Sequence, residues 1–214
     1  MRLHVGPTLL HESSPPDSAQ WIPFASPSSS RVFLVAAITG IATLFVLLSL
    51  ILWSALVADI STPDPSPGEV ATLHVALATL VFAIPAHEAV HAAFYPGGLF
   101  SRSVTFLVYP QKLTLAVYYE GTISKPRWLI ARLAPFTLLA VAPTLLLVAP
   151  IAPLGIATET FLAVLLLVNA LGSGGDLLSA AWVSLRVPSG SSLGFFGGKA
   201  YVGSTAPHAC PTTR

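Results

Sequence analysis

Charge is what this chain has least of: Asp, Glu, Lys and Arg together make up 9% of its 214 residues. Soluble domains carry about a quarter charged residues, so the polar material to cover a water-facing surface is missing. That excludes an ordinary soluble domain. Cysteine is nearly absent as well. The single Cys210 rules out an internal disulfide and any cysteine-based zinc knuckle. No charge of one sign dominates: ten Lys+Arg against nine Asp+Glu leave a net charge of +1, so nothing in the composition invites nucleic acid. An internal repeat is also missing, which disfavours an inverted-repeat transporter.

Apolar residues are abundant, at 54% of the chain, and the mean hydropathy is +0.77. Those values belong to a polytopic membrane protein. Four apolar runs, at about 32–57, 70–94, 128–148 and 158–187, are long enough to cross a bilayer. The first begins too late and runs too long for the core of a signal peptide. The last exceeds the roughly 20 residues a span needs and is interrupted by Gly172, Gly174 and Gly175. Residues 1–30 are rich in Ser and Pro without periodicity and are expected to form a disordered tail, as is the stretch 189–214. The membrane domain is then 31–188. Between the second and third runs, Ser103 to Ser124 is dense in β-branched and aromatic residues around Pro110-Gln111-Lys112, which predicts a surface β-hairpin or else an interfacial segment. The expected fold class is all-α integral membrane with about four transmembrane helices and that one hairpin.

Basic residues orient the chain. With both termini inside, Arg2 and Arg31 precede the first span, Arg102 to Arg132 fall in or beside the loop between spans two and three, and Arg186, Lys199 and Arg214 follow the fourth. All ten basic residues then lie on the cytoplasmic side, with Asp59, Asp64, Glu69 and Glu159 outside. The expected location is the cell membrane, multi-pass, with the lipid bilayer as the first partner.

Inside the second run lies His87-Glu88-Ala89-Val90-His91, an H-E-x-x-H sequence. On a helix, residues four apart share a face, so both imidazoles can reach one metal ion. Glu88 sits beside them, placed to take a proton from a water that Zn²⁺ has acidified. Three ionisable residues close together within a span each cost roughly 2.5–3.5 kcal/mol on insertion scales. A metal ion supplies a reason for them; helix-to-helix hydrogen bonding is the bland alternative.

A zinc site wants a third protein ligand. The outer acidic residues and His74 are too far along the span to reach. Asp176, in Gly174-Gly175-Asp176, sits at a depth comparable to the histidines and leads the candidates; Glu120 follows, and capping of a broken half-helix is the structural alternative. Asn169, seven residues before Asp176, is a candidate for holding substrate backbone or an oxyanion, or for satisfying a freed carbonyl at the glycine break. Arg132 reads more readily as a side chain reaching lipid phosphates than as a group of the site.

HEAVHAAFYPGG, YYEGTISKPRW, RLAPF and NALGSGGDLLSAAW together resemble the small membrane zincin peptidases, over about residues 70–188, and more loosely the site-2 proteases. The resemblance implies a metal site of His87, His91 and Asp176 and peptide-bond hydrolysis. Site-2 proteases usually carry prolines after the Asn and a Leu-Asp-Gly, where this chain has Asn169 leading to Gly-Ser-Gly-Gly-Asp, and no PDZ-like domain is present. The leading function is a membrane-embedded zinc metallopeptidase acting on a peptide or membrane protein, with Glu88 as general base. The alternatives are a metal-binding sensor or carrier without peptidase chemistry, or a structural membrane protein.

Overall fold

The computed structural model describes residues 2–5, 14–15, 20–24, 29–57, 69–110, 114–149 and 154–203. Two long helices come first: α1 (Ser29–Val57) and α2 (Glu69–Phe94). Helix α3 (Lys125–Phe136) starts with Pro126 in its first turn, where a missing N–H costs nothing, and runs through a π-turn at Thr137–Val141 into α4 (Ala142–Val148). The π-turn lies between Pro135 and Pro143, two residues that cannot donate to the helical ladder. Helices α5 (Ile156–Gly172) and α6 (Gly174–Arg186) are bent by 47° at Ser173.

Three segments, Leu34–Trp53, Thr72–Phe94 and Lys125–Val148, are long and apolar enough to cross a membrane, and α5 with α6 makes a fourth only if the bent pair counts as one span. Their outward faces are apolar. Phe45, Phe82 and Leu145 are 73%, 68% and 60% exposed, the reverse of a helix that turns its apolar stripe inward to avoid water.

The all-α expectation is wrong. Seven strands among the described residues form two sheets, so the fold is mixed α/β. Strands β1 (Arg2–Val5), β3 (Val104–Tyr109) and β4 (Thr114–Tyr119) form one sheet in the order β1-β3-β4, with β1 parallel to β3 and β3 antiparallel to β4. Strands β2 (Trp21–Pro23), β5 (Gly121–Ser124), β6 (Ser192–Phe196) and β7 (Lys199–Gly203) form the other, in the order β2-β7-β6-β5. The expected hairpin is thus one pair within a larger β structure, recruited in part from 1–30 and 189–203. Gln111 and Lys112, central to the expected turn, lie outside the described residues, as do 204–214 with Cys210.

The reason is pairing that composition cannot reveal. A segment as short as Trp21–Pro23 does not form a strand by itself; it gains its stability from a partner surface. Here the partner is glycine: a Cβ at Gly194 or Gly203 would press against the Trp21 indole at 2.8 Å, so those glycines make room for the ring. Trp21 also meets Phe196 edge to face, with centroids 5.8 Å apart. The β6–β7 link is Gly197-Gly198, both at positive φ (54° and 76°), as a two-residue hairpin turn requires.

One buried cluster joins sheets to helices: Ala92 and Tyr95 from the end of α2, Val104, Tyr119, Ile123 and Leu193 from the sheets, Trp128 and Ala131 from α3, and Val183 from α6. It anchors the C-terminal end of α2 against β4. A second, smaller cluster of Leu47, Ala140, Leu166 and Ala170 holds α1, the π-turn and α5 together.

Candidate metal centre

On α2 the i, i+4 spacing places His87 and His91 side by side, their rings 4.8 Å apart and nearly perpendicular. Helix α6 brings Asp176 to them immediately after the bend. That position depends on a close helix crossing: Ser173 is fully buried, and a Cβ on Gly174 would collide with the Ala36 carbonyl of α1. Only glycine lets the start of α6 sit there.

Asp176 Oδ2 lies 3.0 Å from His87 Nε2 and 3.1 Å from His91 Nε2, and the three ligand atoms fall within 4.8 Å of one another. His91 is 1% exposed and Asp176 6%. The other ring nitrogens are committed. His91 Nδ1 lies 2.8 Å from the Ala131 carbonyl oxygen, which can only accept, so Nδ1 carries the proton. Asn169 Nδ2 donates to the Leu165 carbonyl at 2.8 Å, which turns its Oδ1 toward His87 Nδ1, 2.9 Å away. That nitrogen therefore also donates. In neutral imidazoles both Nε2 atoms are then lone pairs, and both face a carboxylate oxygen.

Such a convergence of lone pairs is repulsive unless positive charge lies among them. Protons on two adjacent imidazoles would repel each other, whereas one divalent ion satisfies all three groups at once. Zinc suits this donor set: bonds of about 2.0–2.1 Å at tetrahedral angles put ligand atoms about 3.3 Å apart, close to the 3.0 and 3.1 Å from Asp176 Oδ2 to the two histidines. The two imidazole nitrogens, within 4.8 Å of each other, would close on a bound ion. Each histidine also has an outer partner that fixes its tautomer and ring plane, as metal-binding histidines usually do. Asp176 spends its oxygens on His87, His91 and Arg132 rather than on capping α6, and Glu120 is not in the group.

The sequence leaves Asn169 open between a substrate or oxyanion contact and the satisfying of a freed carbonyl. In the structure its amide meets His87 Nδ1 and the Leu165 carbonyl, which places it to orient the His87 ring. Asn169→Leu, of similar size, is expected to weaken metal affinity about 10–100-fold without unfolding the protein, read by competition with a chelator.

Two contacts were missed. Arg132 Nη1 lies 3.2 Å from Asp176 Oδ1, so the guanidinium holds one carboxylate oxygen while the other faces the histidines. The same guanidinium sits 5.6 Å from the Trp128 ring centroid. The signal was present: an arginine and an aspartate buried at similar depth in an apolar chain are expected to pair. The second is Glu88 Oε2, which accepts the Val117 N–H of β4 at 2.7 Å. No sequence pattern announces a side chain bonded to a distant backbone amide.

Two small cavities flank the centre, each about 120 Å³. One, between α2 and α5, is lined by His87, Glu88, Asn169 and Gly172 among others. The other opens toward the sheets between Tyr95, Val117, Tyr119, Trp128 and Arg132. Burial pushes the Tyr95 phenol above its ordinary range, so it stays a neutral hydroxyl beside Arg132.

With this geometry in view, comparison with known families is decisive: residues 80–192, more than half of the chain, match the family model described as putative zincin peptidase. The chain belongs to that family. The zincin match takes in α2 from Leu80 onward, the β3–β5 segment and all of α3 to α6, so His87, Glu88, His91, Arg132, Asn169 and Asp176 all lie inside it. No curated protein and no solved structure matches the chain.

Proposed function

We propose that this zincin-family chain is a membrane-embedded zinc peptidase that hydrolyses peptide bonds near the cytoplasmic face of the cell membrane. The observation that carries the reading is the convergence of His87 Nε2, His91 Nε2 and Asp176 Oδ2 beside the Glu88 carboxylate. His87, His91 and Asp176 would hold a zinc ion, which when bound would supply Lewis acidity and acidify the attacking water to a pKa of about 7. Glu88 takes the proton from the attacking water and returns it to the leaving amine. Val117 N–H holds Glu88 Oε2, which leaves Oε1 to handle the proton. Arg132 keeps Asp176 turned toward the histidines, and Ala131 and Asn169 keep the histidines turned toward Asp176. The apolar outer faces of α1, α2 and α4 support membrane embedding, since no aqueous surface would leave Phe45 and Phe82 so exposed.

A peptidase holds its substrate extended, and β4 offers the means. It is an edge strand among the described residues, and the Val117 N–H reaches Glu88 rather than β3, so the alternate residues Leu115 and Tyr119 also turn their backbone polar groups away from β3. A substrate strand added along this edge runs past Glu88. Leu115→Pro removes one outward N–H and leaves the β3–β4 ladder intact. Peptide cleavage is expected to fall about two- to tenfold, the worth of one backbone hydrogen bond, with zinc content unchanged. Undiminished cleavage in that variant would sink strand addition. The zinc site stands independently of it.

A further inference from the structure

Helix α6 presents Asp176, Ala180 and Val183 to the interior. Its other face, Gly175, Leu178, Ser179 and Trp182, borders an apolar cavity of about 180 Å³ closed by Val32 of α1 and by Phe195. Two further cavities adjoin it. Phe24 lines both it and one of about 460 Å³ bounded by Arg186, Ser189 and Ser191. Gly175 lines both it and one of about 370 Å³ between Ala37 and Ile41 of α1 and Leu171 of α5.

Polarity changes in one direction along this line. It begins aliphatic between two apolar helices, becomes aromatic beneath the sheet, and ends at a guanidinium and two hydroxyls. Arg186 lies over the Trp182 ring, 4.8 Å from its centroid, and among the described residues no carboxylate lies within ion-pair distance of it. The Trp182 indole Nε1 is buried without an acceptor among the described residues. A molecule that is hydrocarbon at one end and anionic at the other matches that gradient. Proteins of this shape meet one such molecule in abundance: a lipid of the bilayer.

We propose that these neighbouring cavities together hold one acyl chain of a membrane glycerophospholipid, with its phosphate at Arg186. The proposal rests on the membrane-embedded reading. It places the lipid against Gly175, the residue before the metal-ligand candidate Asp176, so the lipid packs on the turn that presents the ligand.

Brominated acyl chains quench tryptophan on contact, and Trp128 and Trp182 line the central cavity. Trp53, 68% exposed on α1, reports contact with bulk lipid instead. The full chain is reconstituted in phosphatidylcholine vesicles, with and without Trp53→Phe, and titrated with a minority of brominated phosphatidylglycerol or of brominated diacylglycerol bearing the same chains. In the Trp53→Phe protein, the phosphate-bearing lipid is expected to reach half-quenching at about a tenfold lower mole fraction, the worth of one charge-assisted contact. Arg186→Gln is expected to erase that difference. A Cβ at Gly175 meets nothing within 4 Å, so Gly175→Ala and Gly175→Leu should fold and fill the cavity stepwise, weakening quenching in that order. Equal quenching by the two lipids, or quenching indifferent to Gly175, would overturn the lipid site. Failure of the membrane reading looks different: brominated phosphatidylcholine would then leave Trp53 unquenched.

Discussion

Glu88→Gln is expected to lower peptide cleavage about 10²–10⁴-fold, the usual worth of a positioned general base, while zinc content stays at the wild-type level. Glutamine has the same shape, and its amide oxygen can still accept the Val117 N–H that holds the side chain in place. What it loses is basicity. Because Glu88 is not one of the three converging ligand atoms, the metal should be indifferent to the change. Single-turnover cleavage in detergent, with metal analysis on the same sample, separates the two effects. Wild-type turnover in Glu88→Gln removes the general base from the mechanism. Loss of zinc would instead make Glu88 a ligand.

Asp176→Ala has the largest expected effect on the centre itself, because one residue serves two charges. Its Oδ2 faces both histidines and its Oδ1 faces Arg132. Removing it would take away the proposed third ligand and would leave a largely buried guanidinium without its counter-ion. Zinc is expected to disappear from the purified protein, and stability to fall by on the order of 3 kcal/mol, the cost of breaking a buried ion pair from one side. Adding Arg132→Met should recover part of that loss, since the orphaned charge goes with it, but should not restore zinc. Thermal unfolding of the two variants, followed with metal analysis, checks both halves. Zinc retained in Asp176→Ala would move the third ligand elsewhere. Further destabilisation in the double variant would show that Arg132 contributes through packing against Trp128 rather than through Asp176.

The helical scaffold and the centre were legible for different reasons. Apolar runs mark α1 and α2 because a bilayer demands about 20 such residues, and H-E-x-x-H is readable because helix geometry turns a spacing of four into a shared face. Asp176 was found by cost: a carboxylate within an apolar run needs a partner. The role of Asn169 was not legible, since a side-chain amide seven residues before Asp176 reads equally as a substrate contact or as a support. Only its bond to Leu165 fixes which end meets His87. The β3–β4 hairpin was legible from its β-branched and aromatic residues, but the rest of the sheets was hidden because β1, β2 and β5 are short and pair with strands distant in sequence. Strand β1 pairs with β3 some hundred residues later, at Arg2↔Thr105, and no local pattern encodes that. The Gly197-Gly198 turn between Phe196 and Lys199 was the one strand signal in the C-terminal stretch open to a closer reading.

Zinc content of the full chain, purified in detergent, tests the proposed chemistry most directly. About one zinc per chain, as a single three-ligand site requires, is expected in the wild type and should be lost in His91→Ala. Folded wild-type protein that takes up no zinc contradicts it.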